Sequence, residues 1–278
     1  MAKVRADILL VERGLAESRS VAQRLVMAGQ VRANGQVVLK PSSILTWDVR
    51  LEVDQGQRFV SRGGDKLAAA LAAFPIEIND RICADVGAST GGFTDCLLQH
   101  GARRVYAIDV GEGILHWKLR QDARVIVMED MNARYVESLP EPVDIITIDA
   151  SFISLKVLLP VIKGWFASRP DPTLPGEETF PERSRLPRPL GQVVALIKPQ
   201  FEAGRSEAAR GDGVIRDTQV HQRVLEDVLA FARQEGFGTC GLIRSPLLGP
   251  KGNVEFLAWL SWQGKETTEI ETMIAGVL

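Results

Sequence analysis

Thirty residues in the first half of the chain, "RICADVGASTGGFTDCLLQHGARRVYAIDV" at 81–110, restrict its fold more than any other stretch. Ile82, Ala84 and Val86 alternate along a strand that runs into a glycine turn. "GGFTDCLLQHG" then opens a helix, and "RVYAIDV" is a second strand ending in Asp109. The product is a βαβ unit, which demands a parallel sheet and leaves unpaired N–H groups at a helix N-terminus beside the turn. A dinucleotide fold would carry Gly-x-Gly-x-x-Gly here. This chain instead has Asp85, Gly87, Ser89, Gly91, Gly92 and Phe93 across the turn, with an acidic residue inside it. A pyrophosphate is badly placed beside Asp85. The sulfonium and amino groups of S-adenosylmethionine, both cationic, suit it, and Asp109 is positioned for two ribose hydroxyls.

Later strands extend the pattern. "ARVIVMEDMNAR" ends at Asp130 and Met131, expected as an acidic and a flat apolar contact to adenine; "VDIITIDASFISL" ends in Asp149 and "GQVVALIKPQFE" in Lys198. Ligands of open α/β sheets lie beyond the carboxyl ends of the strands, so Asp149 and Lys198 should be neighbours in one cleft. At 278 residues the chain has room for one large α/β domain and a small module. Three cysteines without paired spacing predict neither a disulfide framework nor a zinc site, and His100, His116 and His221 are scattered. We therefore expect no metal. No apolar run reaches the length of a membrane span and the N-terminus lacks an export signal, so a cytoplasmic protein without a membrane partner is expected.

Net charge is only −2, but it is uneven: residues 1–60 carry +3 and the remainder −5. The first sixty residues read as two short helices, with Ser18 or Ser20 capping the second, followed by short strands and an Asn34-Gly35 hairpin turn. Arg5, Arg19, Arg24, Arg32 and Lys40 fall largely on polar faces. This order of elements, with "AGQVRANGQVVLKPS", resembles the S4 RNA-binding module over residues 4 to about 54. The resemblance implies docking on structured RNA through those five side chains.

"VSRGGDKL", "DVGASTGGFTD", "LHWKLRQD", "TIDASFISL", "LIKPQFE" and "PLLGPKGNVEFLAWL", in this order, resemble the TlyA (haemolysin A) family, whose catalytic domain is similar to FtsJ-type ribose 2′-O-methyltransferases. The resemblance implies a Rossmann-like α/β methyltransferase fold, with a seven-stranded, mostly parallel sheet whose last hairpin is antiparallel. Residues 61–278 would form this domain and residues 1–60 the small α+β S4-like one. It also implies S-adenosylmethionine as cofactor and ribosomal RNA in ribosomal subunits as partner, with a cytidine ribose as the methylated group. The FtsJ-type Lys-Asp-Lys-Glu tetrad maps onto Lys66, Asp149, Lys198 and Glu255. A ribose hydroxyl is a poor acid and needs proton removal as the C–O bond forms, so Lys198 is the expected base.

Three rivals compete with this reading. The family's haemolysin name suggests a membrane-active protein; a noncatalytic ribosome-binding factor could keep a donor pocket; a small-molecule methyltransferase would share the fold. All four tetrad positions argue against the second, and the basic N-terminal module against the third. Two segments stay unassigned: residues 168–190, rich in proline and charge, read as a surface insertion, and "EAGRSEAARGDGVIRD" after Lys198 as a polar loop or a receiver for the target nucleotide.

Overall fold

The structure, a computed structural model, describes residues 3–54, 56–166, 191–204, 207, 213–264 and 268–278. The 168–190 insertion and much of the segment after Glu202 lie outside the described residues. The chain forms two compact units that divide between Arg58 and Phe59.

In the first unit, β1 (Lys3–Arg5) leads into α1 (Ala6–Glu12) and then α2 (Arg19–Met27), whose first turn is capped by the Ser18 hydroxyl accepting from the Val21 N–H. β2 (Val31–Ala33) and β3 (Gln36–Val37) form a hairpin closed by Asn34 and Gly35, both at positive φ as a two-residue primed turn requires. β4 (Ile44–Thr46) pairs with β1, and β5 (Leu51–Val53) with β2. A small core of Ala6, Leu10, Ala22, Val26, Val31 and Val38 holds the helices against the strands.

The second unit opens with α3 (Gly63–Ala73), followed by β6 (Ile82–Val86), α4 (Gly92–Gln99), β7 (Arg104–Ile108), α5 (Trp117–Arg120), β8 (Val125–Met128), β9 (Ile145–Ile148) and α6 (Leu155–Ile162). Then come β10 (Gln192–Ile197), α7 (Pro199–Glu202), α8 (Thr218–Gln234), β11 (Phe237–Arg244), β12 (Phe256–Trp262) and α9 (Ile270–Ala275). Seven strands form one sheet in the order β11-β12-β10-β9-β6-β7-β8. Strands β8 to β10 in this order pair in parallel, while β12 is antiparallel to both β10 and β11.

Side-chain alternation builds a core on each face of the sheet. Ile82, Ala84 and Val86, with Ile146, Ile148, Val193 and Ala195, pack toward α6, α8 and α9. Cys83, Val105, Ala107, Val194 and Leu196 pack toward α3 and α4. Because both faces are covered, β6 is buried at all five residues, as parallel strands in α/β proteins are. Successive strands are added to one side of β6 as far as β8 and to the other side from β9 on, and the switch point between β6 and β9 is where the strand-end loops open a crevice.

Candidate active site

A cavity of about 720 Å³ lies at the carboxyl ends of β6, β9 and β10, and Lys66, Asp149, Lys198 and Glu255 all line it. The glycine turn after β6 forms one wall through Gly87, Ser89, Gly92 and Phe93. Its shape is dictated by close approach. A Cβ on Gly87 would stand 2.8 Å from the Asp149 carbonyl oxygen, and one on Gly92 2.3 Å from the Ser61 hydroxyl. Glycine at both positions lets the turn pass between the end of β9 and the start of α3.

The four tetrad side chains form two ion pairs. Lys66, in the first turns of α3, donates to Glu255 Oε2 at 2.5 Å, and both side chains are almost wholly buried. Lys198, directly after β10, pairs with Asp149 Oδ1 at 2.7 Å and also donates to the Asp149 carbonyl at 3.2 Å and to Ser151 Oγ at 3.0 Å. Glu255 Oε1 is buried and has no hydrogen-bond partner among the described residues.

The remaining residues expected around a donor take other places. Asp85 is fully buried beneath the turn, not beside the cavity: its oxygens accept from Thr94 Oγ1 at 2.7 Å and Thr147 Oγ1 at 3.0 Å. It faces α4 because it shares the odd-numbered face of β6 with Cys83. Burial pushes its carboxyl up to about 7, the two hydroxyls oppose the rise, and the nearby Asp149 charge adds to it. Gly91 caps α4, packed against Leu119, and is not on the cavity wall. Asp109 staples the turn: Oδ2 accepts from the Ser89 N–H and Oδ1 from the Gly111 N–H, each at 2.8 Å. Asp130 and Met131 join the same rim through Asp130 N–H to the Gly111 carbonyl and Met131 N–H to the Asp109 carbonyl. None of these last three lines the cavity itself.

Glu129 went unnoticed in the sequence, although it organises this rim. It accepts from the Gly113 and Leu115 N–H groups and pairs with Arg120, which is the main reason its carboxyl is lowered to about 2. Ser151 and Phe152 were missed as well. They lie two and three residues after Asp149 at a strand end, the signal that could have found them. Phe152 is 90% exposed, at φ 64°, with its ring 4.9 Å from that of Phe201 at the cavity wall.

In the first unit the five basic residues divide into two groups. Arg5 and Arg19 each pair at 3.0 Å with Asp7, which is fully buried and also accepts from Gln23. The Arg5 guanidinium, helped by Gln23 and Arg19, holds the Asp7 carboxyl well below the usual carboxylate range. Arg24, Arg32 and Lys40 are exposed, and Arg32 donates to the Gly35 carbonyl.

Residues 59–262 match the FtsJ-like methyltransferase family, and residues 4–47 match the S4 domain. The chain belongs to the FtsJ-like methyltransferase family. Its fold and family are those of S-adenosylmethionine-dependent methyltransferases, and an S4 domain precedes the FtsJ-like domain. The 16S/23S rRNA (cytidine-2′-O)-methyltransferase TlyA of Mycobacterium tuberculosis is 41% identical over 94% of this chain and 91% of its own length. Hemolysin A of Brachyspira hyodysenteriae is 39% identical over 92% of this chain and 98% of its own. A solved structure from Streptococcus thermophilus, provisionally named a hemolysin, superposes with a TM-score of 0.68 at 42% identity, covering 99% of this chain and 96% of that one. The FtsJ-like core explains why the tetrad and the glycine turn share one cavity. Among the described residues, no helix is long and apolar enough to cross a membrane.

Proposed function

We propose that this methyltransferase modifies the 2′-hydroxyl of a cytidine ribose in ribosomal RNA, presented in a ribosomal subunit in the cytoplasm. Residues 1–60 dock the RNA and residues 61–278 carry out the transfer. The observation that carries this reading is the pair of ion pairs, Lys66–Glu255 and Lys198–Asp149, on one cavity with the glycine turn. The name of the M. tuberculosis relative supplies the substrate class.

The residues fit S-adenosylmethionine as cofactor. The cavity volume suits a ligand of that size. Ser89, Gly92 and Phe93 would hold its methionine part, while Asp109, Asp130 and Met131 on the adjoining rim would meet the ribose and adenine. When bound, it supplies a methyl carbon on a sulfonium. Lys198 would take the proton that the ribose hydroxyl loses as its oxygen replaces the sulfur on that carbon, the carbon–sulfur bond breaking and the sulfur leaving as a neutral thioether. The incoming hydroxyl would take the place of the Ser151 contact, the one of the three that Lys198 makes to an exposed side chain. Lys66 and Glu255 orient the hydroxyl, and Asp149 keeps Lys198 aimed between donor and acceptor. Arg24, Arg32 and Lys40 contact RNA phosphates directly, whereas Arg5 and Arg19 also keep the S4 helices in place.

The test is transfer of labelled methyl from S-adenosylmethionine to purified, unmodified small and large subunits, with Lys198→Ala in parallel. Label that maps to a ribose 2′-oxygen and falls about 100-fold or more in the variant is expected. No label in either subunit from a protein that binds the donor would overturn the reading in favour of a noncatalytic binding factor.

A further inference from the structure

We propose that Gly249 is a positioning residue for methyl transfer, because its missing side chain is what lets the Glu255 carboxylate stand against Lys66. The proposal rests on the orienting role given to that ion pair above. Gly249 sits on the cavity wall in a tight turn, its N–H donating to the Asn253 carbonyl and its own carbonyl accepting from Gly252. A Cβ built there would lie 2.0 Å from Glu255 Oε1, 2.6 Å from Cδ and 3.2 Å from Oε2.

Conformational freedom is not what this glycine supplies. Its φ lies outside the left-handed region, so alanine suits the backbone, and at such sites Gly→Ala ordinarily stabilises by restricting the unfolded chain. The three atoms nearest the added Cβ all belong to the Glu255 carboxylate. Glu255 cannot yield easily, because it is 1% exposed and its Oε2 is committed to Lys66 at 2.5 Å. Among the described residues Oε1 has no hydrogen-bond partner, and the bare backbone of Gly249 stands against that side of the carboxylate. A methyl group at 249 therefore drives Glu255 off Lys66, and displacing an orienting group by about 1 Å is enough to cost about 100-fold in rate.

Gly252 provides the control. It belongs to the same turn and has φ 88°, yet a Cβ there meets nothing within 4 Å. Gly252→Ala thus strains the turn without touching Glu255.

The experiment compares Gly249→Ala, Gly252→Ala, Glu255→Asp and the double variant Gly249→Ala/Glu255→Asp in the full chain, by single-turnover methyl transfer, donor affinity and thermal melting. Gly249→Ala should lower the transfer rate about 100-fold, leave donor Kd within about twofold, and lower Tm by about 4 °C or more where an unhindered site would gain. Aspartate, shorter by one methylene, withdraws from the new methyl group. In the Glu255→Asp background, Gly249→Ala should therefore cost less than about threefold in rate and no Tm. The proposal is overturned if Gly249→Ala keeps more than about a third of the rate. It is also overturned if Gly252→Ala loses as much, or if the two substitutions act independently in both rate and Tm. Wild-type protein that transfers no methyl at all would sink the assigned reaction instead, and the Tm coupling would still decide whether Gly249 holds Glu255 in place.

Discussion

The Lys66–Glu255 pair separates stability from catalysis when its partners are removed one at a time and then together. Their side chains are 11% and 0% exposed, so neither charge has water to fall back on. Deleting one partner of such a pair strands the other, which costs about 3–5 kcal/mol. At about 2–4 °C per kcal/mol for a domain of this size, Lys66→Met and Glu255→Leu should each lower Tm by roughly 6–20 °C. The double variant buries no charge and should recover most of that loss, since replacing a whole buried pair with apolar groups is often neutral. Its methyl transfer should nevertheless stay about 100-fold or more below wild type, because nothing then orients the ribose hydroxyl. Scanning calorimetry and single-turnover transfer on the same preparations make the comparison. A double variant that melts like wild type and also retains activity would refute the orienting role. Single variants that melt like wild type would refute the buried pair itself.

Three further outcomes follow from other contacts. Asp85, with its carboxyl raised to about 7 in the folded chain, binds a proton there that the unfolded chain releases near its ordinary value of 3.8. Stability should therefore fall as pH rises from about 4 to about 7, at up to ~1.4 kcal/mol per pH unit, and Asp85→Asn should flatten that slope in melts across the range. Asp109→Ala frees the Ser89 and Gly111 N–H groups, so donor affinity measured by calorimetry should weaken about tenfold or more while Tm changes little; unchanged affinity would remove Asp109 from the donor site. Replacing Arg24, Arg32 and Lys40 with alanine should flatten the salt dependence of RNA binding by about 0.7–0.9 per lost phosphate contact without affecting the melt, whereas Arg5→Ala/Arg19→Ala should lower Tm by stranding the buried Asp7. Equal salt slopes for wild type and the triple variant would remove those three side chains from the RNA contact.

What the sequence made legible follows from how parallel sheets place their ends. Asp149 and Lys198 both come directly after apolar strands, so the rule that ligands gather at carboxyl ends brings them together, and they stand 2.7 Å apart. The same rule says nothing of Lys66, which lies on a helix before β6, or of Glu255, 189 residues away, which precedes its strand. Only the resemblance to a family pointed to them. The physical reason lies in β12. Because it runs antiparallel to β10, its first residue, Phe256, pairs with the last residue of β10, Ile197, and its N-terminal end lies where the parallel strands finish. Glu255 thus reaches the cavity from the front of a strand, at the place where Lys198 reaches it from the back of one. Asp85 fails in the opposite direction: its position in the glycine turn invited a role facing the ligand, but alternation along β6 fixes its side chain toward α4, where two threonine hydroxyls hold it. Local spacing decides which face a side chain takes, and only the pairing of β10 with β12 closes the tetrad. A register slip of one residue between those two strands would move Glu255 about 3.4 Å along β10 and reverse the face it presents, taking its carboxylate away from both Lys66 and the backbone of Gly249.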